Sequence, residues 1–161
     1  MDKVRIGIIG FGHMGNQHST ALLQGKVPNA VLTAIADIDP EKIKKAKALA
    51  GDSVAYFDNA ESLMDSGLVD AVIPTCPHYY HPVYGVYALE HGLNYLCEKP
   101  AGVYTNAVKK MNEVALKSGK VFGVMFNQRT NPLYQKARDL VQSGEVGRIL
   151  HCHWLISSWF R

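Results

Sequence analysis

An α/β fold, a doubly wound parallel sheet of about six strands with flanking helices, follows from three features of the sequence. Strand-like and helix-like stretches alternate along most of the chain. The strand-like stretches are short apolar runs that end in Gly, Pro or Asp, as parallel strands buried on both faces do. The first of them leads straight into a glycine-rich turn and then a helix.

Each run has a place in this scheme. Val4 to Ile9 is the first strand, ending at Gly10, and Val31 to Ala36 is the second, ending at Asp37. Val54 to Phe57 is a weaker third run, followed by Asp70 to Ile73, Asn94 to Cys97 and Val121 to Phe126. Helices fill the gaps. Asp39-Pro40-Glu41 combines a cap, a first-turn proline and an acid. His81-Pro82 opens another helix, with Val83, Val86 and Tyr87 on one side. After Ala101, the residues Tyr104, Ala107, Val108, Met111, Val114 and Ala115 share one helical face. Near the end, Leu133, Ala137, Leu140 and Val141 mark an amphipathic helix closed by Gly144. Ile149 to Phe160 then reads as one long strand, apolar at Leu150, Cys152, Trp154, Ile156 and Phe160, with no strand left inside the chain to pair with. It is expected to be the first strand of a truncated α+β domain, or to pair with another subunit.

Composition limits the function classes. Of 161 residues, 47% are hydrophobic and 19% charged, which suits a packed core. The net charge of +3 is scattered, so no nucleic acid or anionic membrane partner is expected. No apolar run has the length of a membrane span, and the N-terminus lacks the pattern of a signal peptide. Cys76, Cys97 and Cys152 have no metal or disulfide spacing. The expectation is a cytoplasmic protein. His78 with His81, and His151 with His153, lack the further ligands of a metal site, so no metal is expected.

The motif that carries chemistry is Gly10-Phe11-Gly12-His13-Met14-Gly15. It lies between a strand and a helix, and an acid, Asp37, follows about 20 residues further on at the end of the second strand. That is the context of a dinucleotide-binding, Rossmann-type turn. Gly10 permits the tight turn, Gly12 lets the backbone approach a pyrophosphate, and Gly15 lets helix and strand pack closely. The helix N-terminus offers unpaired amides and a partial positive charge. Asp37 would accept hydrogen bonds from the adenosine ribose and repel a 2′-phosphate, which favours NAD over NADP. Thr75, Cys76 and Pro77 follow the fourth strand, where the strand order reverses, and would wall the ligand crevice. Cys76 has no activating neighbour and reads as a small packed thiol. His81 reads equally as a helix-start residue and as a contact to substrate, and His18 as structural or near the cofactor.

Glu98-Lys99-Pro100 after the fifth strand, Thr75-Cys76-Pro77 with His78 and His81 after the fourth, and Asn127-Gln128-Arg129 after the sixth give the chain a further likeness. With the N-terminal motif, it resembles the Gfo/Idh/MocA family of oxidoreductases over its whole length. The resemblance implies a dinucleotide-binding Rossmann domain over residues 1-126. Residues 127-161 would be a connecting helix and the first strand of an incomplete substrate and oligomerisation domain. It implies that Lys99 contacts substrate and nicotinamide ribose and takes part in proton transfer, with Glu98 and Pro100 beside it and a cis bond before Pro100. It implies hydride transfer between NAD, or NADP, and a sugar, cyclitol or related hydroxy compound. Homo-oligomers through the C-terminal sheet are also implied. The rival readings are a dinucleotide-binding or regulatory module without catalysis, and an NAD-dependent glycosidase of the same family. A lone cofactor half would be weakly active or inactive, because hydride transfer needs substrate and nicotinamide held together.

Overall fold

A computed structural model describes residues 3–155. They form two compact units, one ending at Met125 and the other starting at Phe126.

The first unit is the α/β fold expected. Its strands are β1 (Val4–Ile9), β2 (Ala30–Ala36), β3 (Ala55–Phe57), β4 (Ala71–Pro74), β5 (Asn94–Cys97) and β6 (Phe122–Val124). Between them run α1 (His13–Leu23), α2 (Pro40–Ala50), α3 (Ala60–Met64), α4 (His81–Glu90) and α5 (Thr105–Ser118). All pairings are parallel, in the order β3-β2-β1-β4-β5-β6. The order reverses between β1 and β4, and a crevice opens outside their carboxyl ends.

Alternation along the strands divides the core between two faces. Ile6 and Ile8 pack with Leu32, Ile35, Leu22, Ala46 and Phe11 on one side. Ile9 packs with Ala34, Leu63, Val72, Leu89, Tyr95 and Met111 on the other. Helix α2 starts as expected: the Asp39 carboxylate accepts from the Glu41 amide at 2.9 Å, with Pro40 in the first turn.

Two helical faces differ from the sequence reading. The buried side of α4 is His81, Pro82, Gly85, Ala88 and Leu89, while Val83 is exposed. Val86 and Tyr87 pack partly against the core, and Gly85 lies at the closest approach, where a Cβ would collide with Met111 and approach Tyr95 at 2.8 Å. Helix α4 and helix α5 therefore meet at a residue without a side chain. Tyr104 is not on the buried face of α5 but precedes the helix and is exposed, its ring 6.4 Å from that of Tyr79.

In the second unit α6 spans Pro132–Gln142, begun by the Asn131 side-chain oxygen Oδ1, which accepts from the Leu133 amide at 3.0 Å. The long strand expected from Ile149 does not form over 149–155, and positions 156–160 lie outside the described residues. A lone strand has unpaired amides and carbonyls with no ladder to join, so alternation alone does not hold it extended.

Candidate functional site

The loop from Gly10 to Gly15 joins β1 to α1, and its three glycines meet different surroundings. Gly10 has φ +95, and a Cβ there would lie 2.9 Å from the Cys76 amide nitrogen. A Cβ on Gly15 would run into the Gly10 carbonyl and lie 2.8 Å from the Thr75 hydroxyl. Both are places of close backbone approach. Gly12 has an ordinary φ of −83, and a Cβ there would meet nothing within 4 Å. It faces open space at the mouth of α1. The helix has no side-chain cap and no acid in its first turn, so its leading amides are unpaired and its dipole is uncompensated.

Two side chains lock this loop. The Thr75 hydroxyl donates to the Gly10 carbonyl, and the Thr75 amide donates to Ile9 O at 2.7 Å, joining the ends of β1 and β4. Thr75 is therefore a clip as well as a wall. The Asp37 carboxylate, 7% exposed, accepts from the Phe11 amide at 2.6 Å and from the Asp39 amide at 2.9 Å. Lys42 Nζ stands 3.7 Å from the same carboxylate. The Phe11 side chain is buried in the core, so only its main chain belongs to the loop. A carboxylate has about four acceptor positions, so Asp37 keeps capacity for a ligand hydroxyl.

Gly10, Gly12, Asp37, Thr75, Cys76 and Pro77 line one cavity of about 470 Å³. Burial pushes the Cys76 thiol up to about 12, which keeps it protonated and unreactive at neutral pH. The cavity has further walls that sequence reasoning missed: Ile38, Asn59, Tyr80 and Tyr84. Ile38 is 84% exposed beside a buried acid, and an apolar residue directly after the acid was the available signal. Tyr80 and Tyr84 stack with centroids 5.7 Å apart. His13, Met14 and Gly15 belong to α1 but do not line the cavity.

A second group gathers at the end of β5. The Lys99-Pro100 bond is cis. Glu98 is 5% exposed; one of its oxygens lies 2.7 Å from His18 Nε2, and the other accepts from the Lys99 amide at 3.1 Å. Lys99 itself is exposed, and its ammonium has no hydrogen-bond partner among the described residues. His81 is 1% exposed, with Nδ1 2.8 Å from Pro100 O and Nε2 3.1 Å from Cys76 O. It ties the loop after β4 to the loop after β5 and does not line the cavity at Gly12. Both its partners are carbonyls, which a sequence cannot display. Glu98, Lys99, Pro100 and His81 thus stand apart from the cavity at Gly12, at the same carboxyl edge of the sheet.

Residues 4–126 match the family model described as "Oxidoreductase family, NAD-binding Rossmann fold". The chain belongs to the Gfo/Idh/MocA oxidoreductase family. It is 33% identical to an inositol 2-dehydrogenase of Corynebacterium glutamicum (strain R), over 92% of this chain and 44% of that protein. Among solved structures it is similar to myo-inositol 2-dehydrogenase from Lactobacillus plantarum. There the TM-score is 0.85 at 30% identity, over 92% of this chain and 43% of that one. It is also similar to scyllo-inositol dehydrogenase from Lactobacillus casei with bound NAD(H) and scyllo-inositol. That match has a TM-score of 0.83 at 27% identity, over 91% of this chain and 43% of that one. This Gfo/Idh/MocA chain spans less than half the length of the relatives it matches.

Proposed function

We propose that the chain is the cofactor-holding part of an NAD-dependent oxidoreductase that acts on a cyclitol, sugar or related polyol. One observation carries this reading. Gly12 opens onto a cavity at the uncapped N-terminus of α1, with the buried Asp37 carboxylate lining the same space. Unpaired helix amides just beyond Gly12 at the edge of this cavity, with a carboxylate in its wall, fit a pyrophosphate and a ribose diol. When bound, a nicotinamide dinucleotide supplies the site that accepts or delivers hydride.

The chain's own residues have separate tasks in this reading. The amides of His13, Met14 and Gly15 hold the phosphates, and Gly12 leaves room for them. Asp37 binds the ribose hydroxyls; its charge opposes a 2′-phosphate, and the Lys42 ammonium at 3.7 Å moderates that opposition. Ile38, Cys76 and Pro77 supply the apolar wall. Lys99 holds or donates the proton of the substrate oxygen, as an exposed ammonium beside the crevice can. The polyol class is supported by the inositol dehydrogenases among the relatives.

Calorimetric titration of the chain with NADH and with NADPH tests the reading. The expected result is NADH binding at least about tenfold tighter than NADPH, since one like-charge contact is on the order of 1.4 kcal/mol or more. Binding of neither dinucleotide overturns the proposal.

A further inference from the structure

Glu98 is a buried carboxylate with no task in the function proposed above. Its two oxygens are divided between two donors. One lies 2.7 Å from His18 Nε2, and the other takes the Lys99 amide at 3.1 Å. A carboxylate only accepts, so Nε2 is the protonated nitrogen of His18. The contact crosses 80 residues of sequence and joins α1 to the end of β5. A buried carboxylate that loses its partner is strongly disfavoured. His18 therefore decides where Glu98 can rest, and Glu98 holds the main chain of Lys99, the residue given the proton-carrying task above.

We infer that His18 is a positioning residue. Through Glu98 it holds the Lys99 loop to α1, so that the helix facing the phosphates and the loop facing the nicotinamide keep one relative geometry. The inference rests on the functional reading of α1 and Lys99 given above. It differs from a plain packing role in what it protects. The adenosine half of the cavity does not include His18 or Glu98, so losing their pair leaves that half intact and loosens the reacting half alone.

Wild type, His18→Ala and His18→Gln are compared in three measurements on the full chain. The first is amide hydrogen exchange of Lys99 without ligand, followed by NMR. The second is affinity for NADH together with the nicotinamide fluorescence of the bound form. The third is affinity for ADP-ribose, which lacks nicotinamide. In His18→Ala, Lys99 exchange rises at least about tenfold, because the local opening that frees it is easier. NADH binds about tenfold more weakly with altered fluorescence, while ADP-ribose affinity stays within about twofold. His18→Gln, whose side-chain N–H stands close to where Nε2 stood, keeps the wild-type values.

Unchanged Lys99 exchange and unchanged fluorescence in His18→Ala overturn the inference. So does equal loss of NADH and ADP-ribose binding with a lowered Tm, which marks a structural role only. If His18→Ala does not fold, Glu98→Gln replaces it. That change keeps the shape but leaves one acceptor oxygen for two donors, so Lys99 exchange rises again; no rise overturns the inference. A wild type that binds neither NADH nor ADP-ribose defeats the cofactor reading instead, and the exchange comparison still decides the link between His18 and Lys99.

Discussion

Gly12 and Gly15 sit in one short loop, yet substitution at each tests a different thing. Gly15 has no room: a Cβ meets the Gly10 carbonyl and the Thr75 hydroxyl, both held by the β1–β4 junction. Gly15→Ala is expected to destabilise the fold by about 1–3 kcal/mol, the usual range for forcing atoms into a packed place. Gly12 has an ordinary φ and open space beside it. Gly12→Val is expected to change stability by no more than about 0.5 kcal/mol, as surface substitutions do. It should also abolish NADH binding. Chemical denaturation and calorimetry on both variants separate the two roles. A Gly12→Val chain that binds NADH normally would refute the assignment of the open space to the pyrophosphate.

At the scale of elements, the start of β1 is tied to the residue before β4. Asp70 accepts from the Arg5 amide at 2.8 Å and from the guanidinium at 2.6 Å, and the Asp70 amide donates back to Arg5 O at 2.8 Å. These bonds from Arg5 hold the Asp70 carboxyl below its ordinary range. A depressed folded-state value means stability that is present above the unfolded value and lost as pH falls through the folded one. Asp70→Asn should therefore unfold more easily than wild type at neutral pH, and the two should converge in acid. Urea midpoints against pH check this; a constant gap down to acid pH would contradict it. The six sheet strands were legible because buried parallel strands are written as short apolar runs, and each of those six runs found its place within a residue or two, unlike the run from Ile149. The glycine loop and its acid were legible from spacing. The face of α4 was only partly legible: its buried side uses His81 as a strut and Gly85 as a contact point, which apolar periodicity does not mark, while Val83 faces out and Val86 and Tyr87 pack only partly against the core. Ile38 and the tyrosines of the cavity were missed for the opposite reason, since ligand walls leave apolar side chains exposed and give no periodic pattern.

For the whole molecule, the core lies before Met125. None of residues 126–155 is buried, whereas both buried core clusters, one on each face of the sheet, lie in the first unit. A chain cut after Met125 is expected to keep a single cooperative melting transition, with Tm within about 4 °C of the full chain, a shift worth about 1 kcal/mol for a domain of this size. A broad or missing transition by calorimetry would show that the later residues complete the fold. The strand order has a further consequence, for how the protein is made. Strand β1 lies near the middle of the sheet but leaves the ribosome first. It can pair with β2, and β2 with β3, once Phe57 has emerged, but its other edge stays open until β4 arrives at Ala71. During that interval the nascent chain presents Ile6 and Ile8 on an unpaired edge, a template for pairing with other chains. The same delay leaves the crevice with one wall, because Thr75 and Pro77 are still inside the exit tunnel when Gly12 and Asp37 are already outside. Translation speed between Phe57 and Pro77 thus sets how long the half-built domain keeps that edge open.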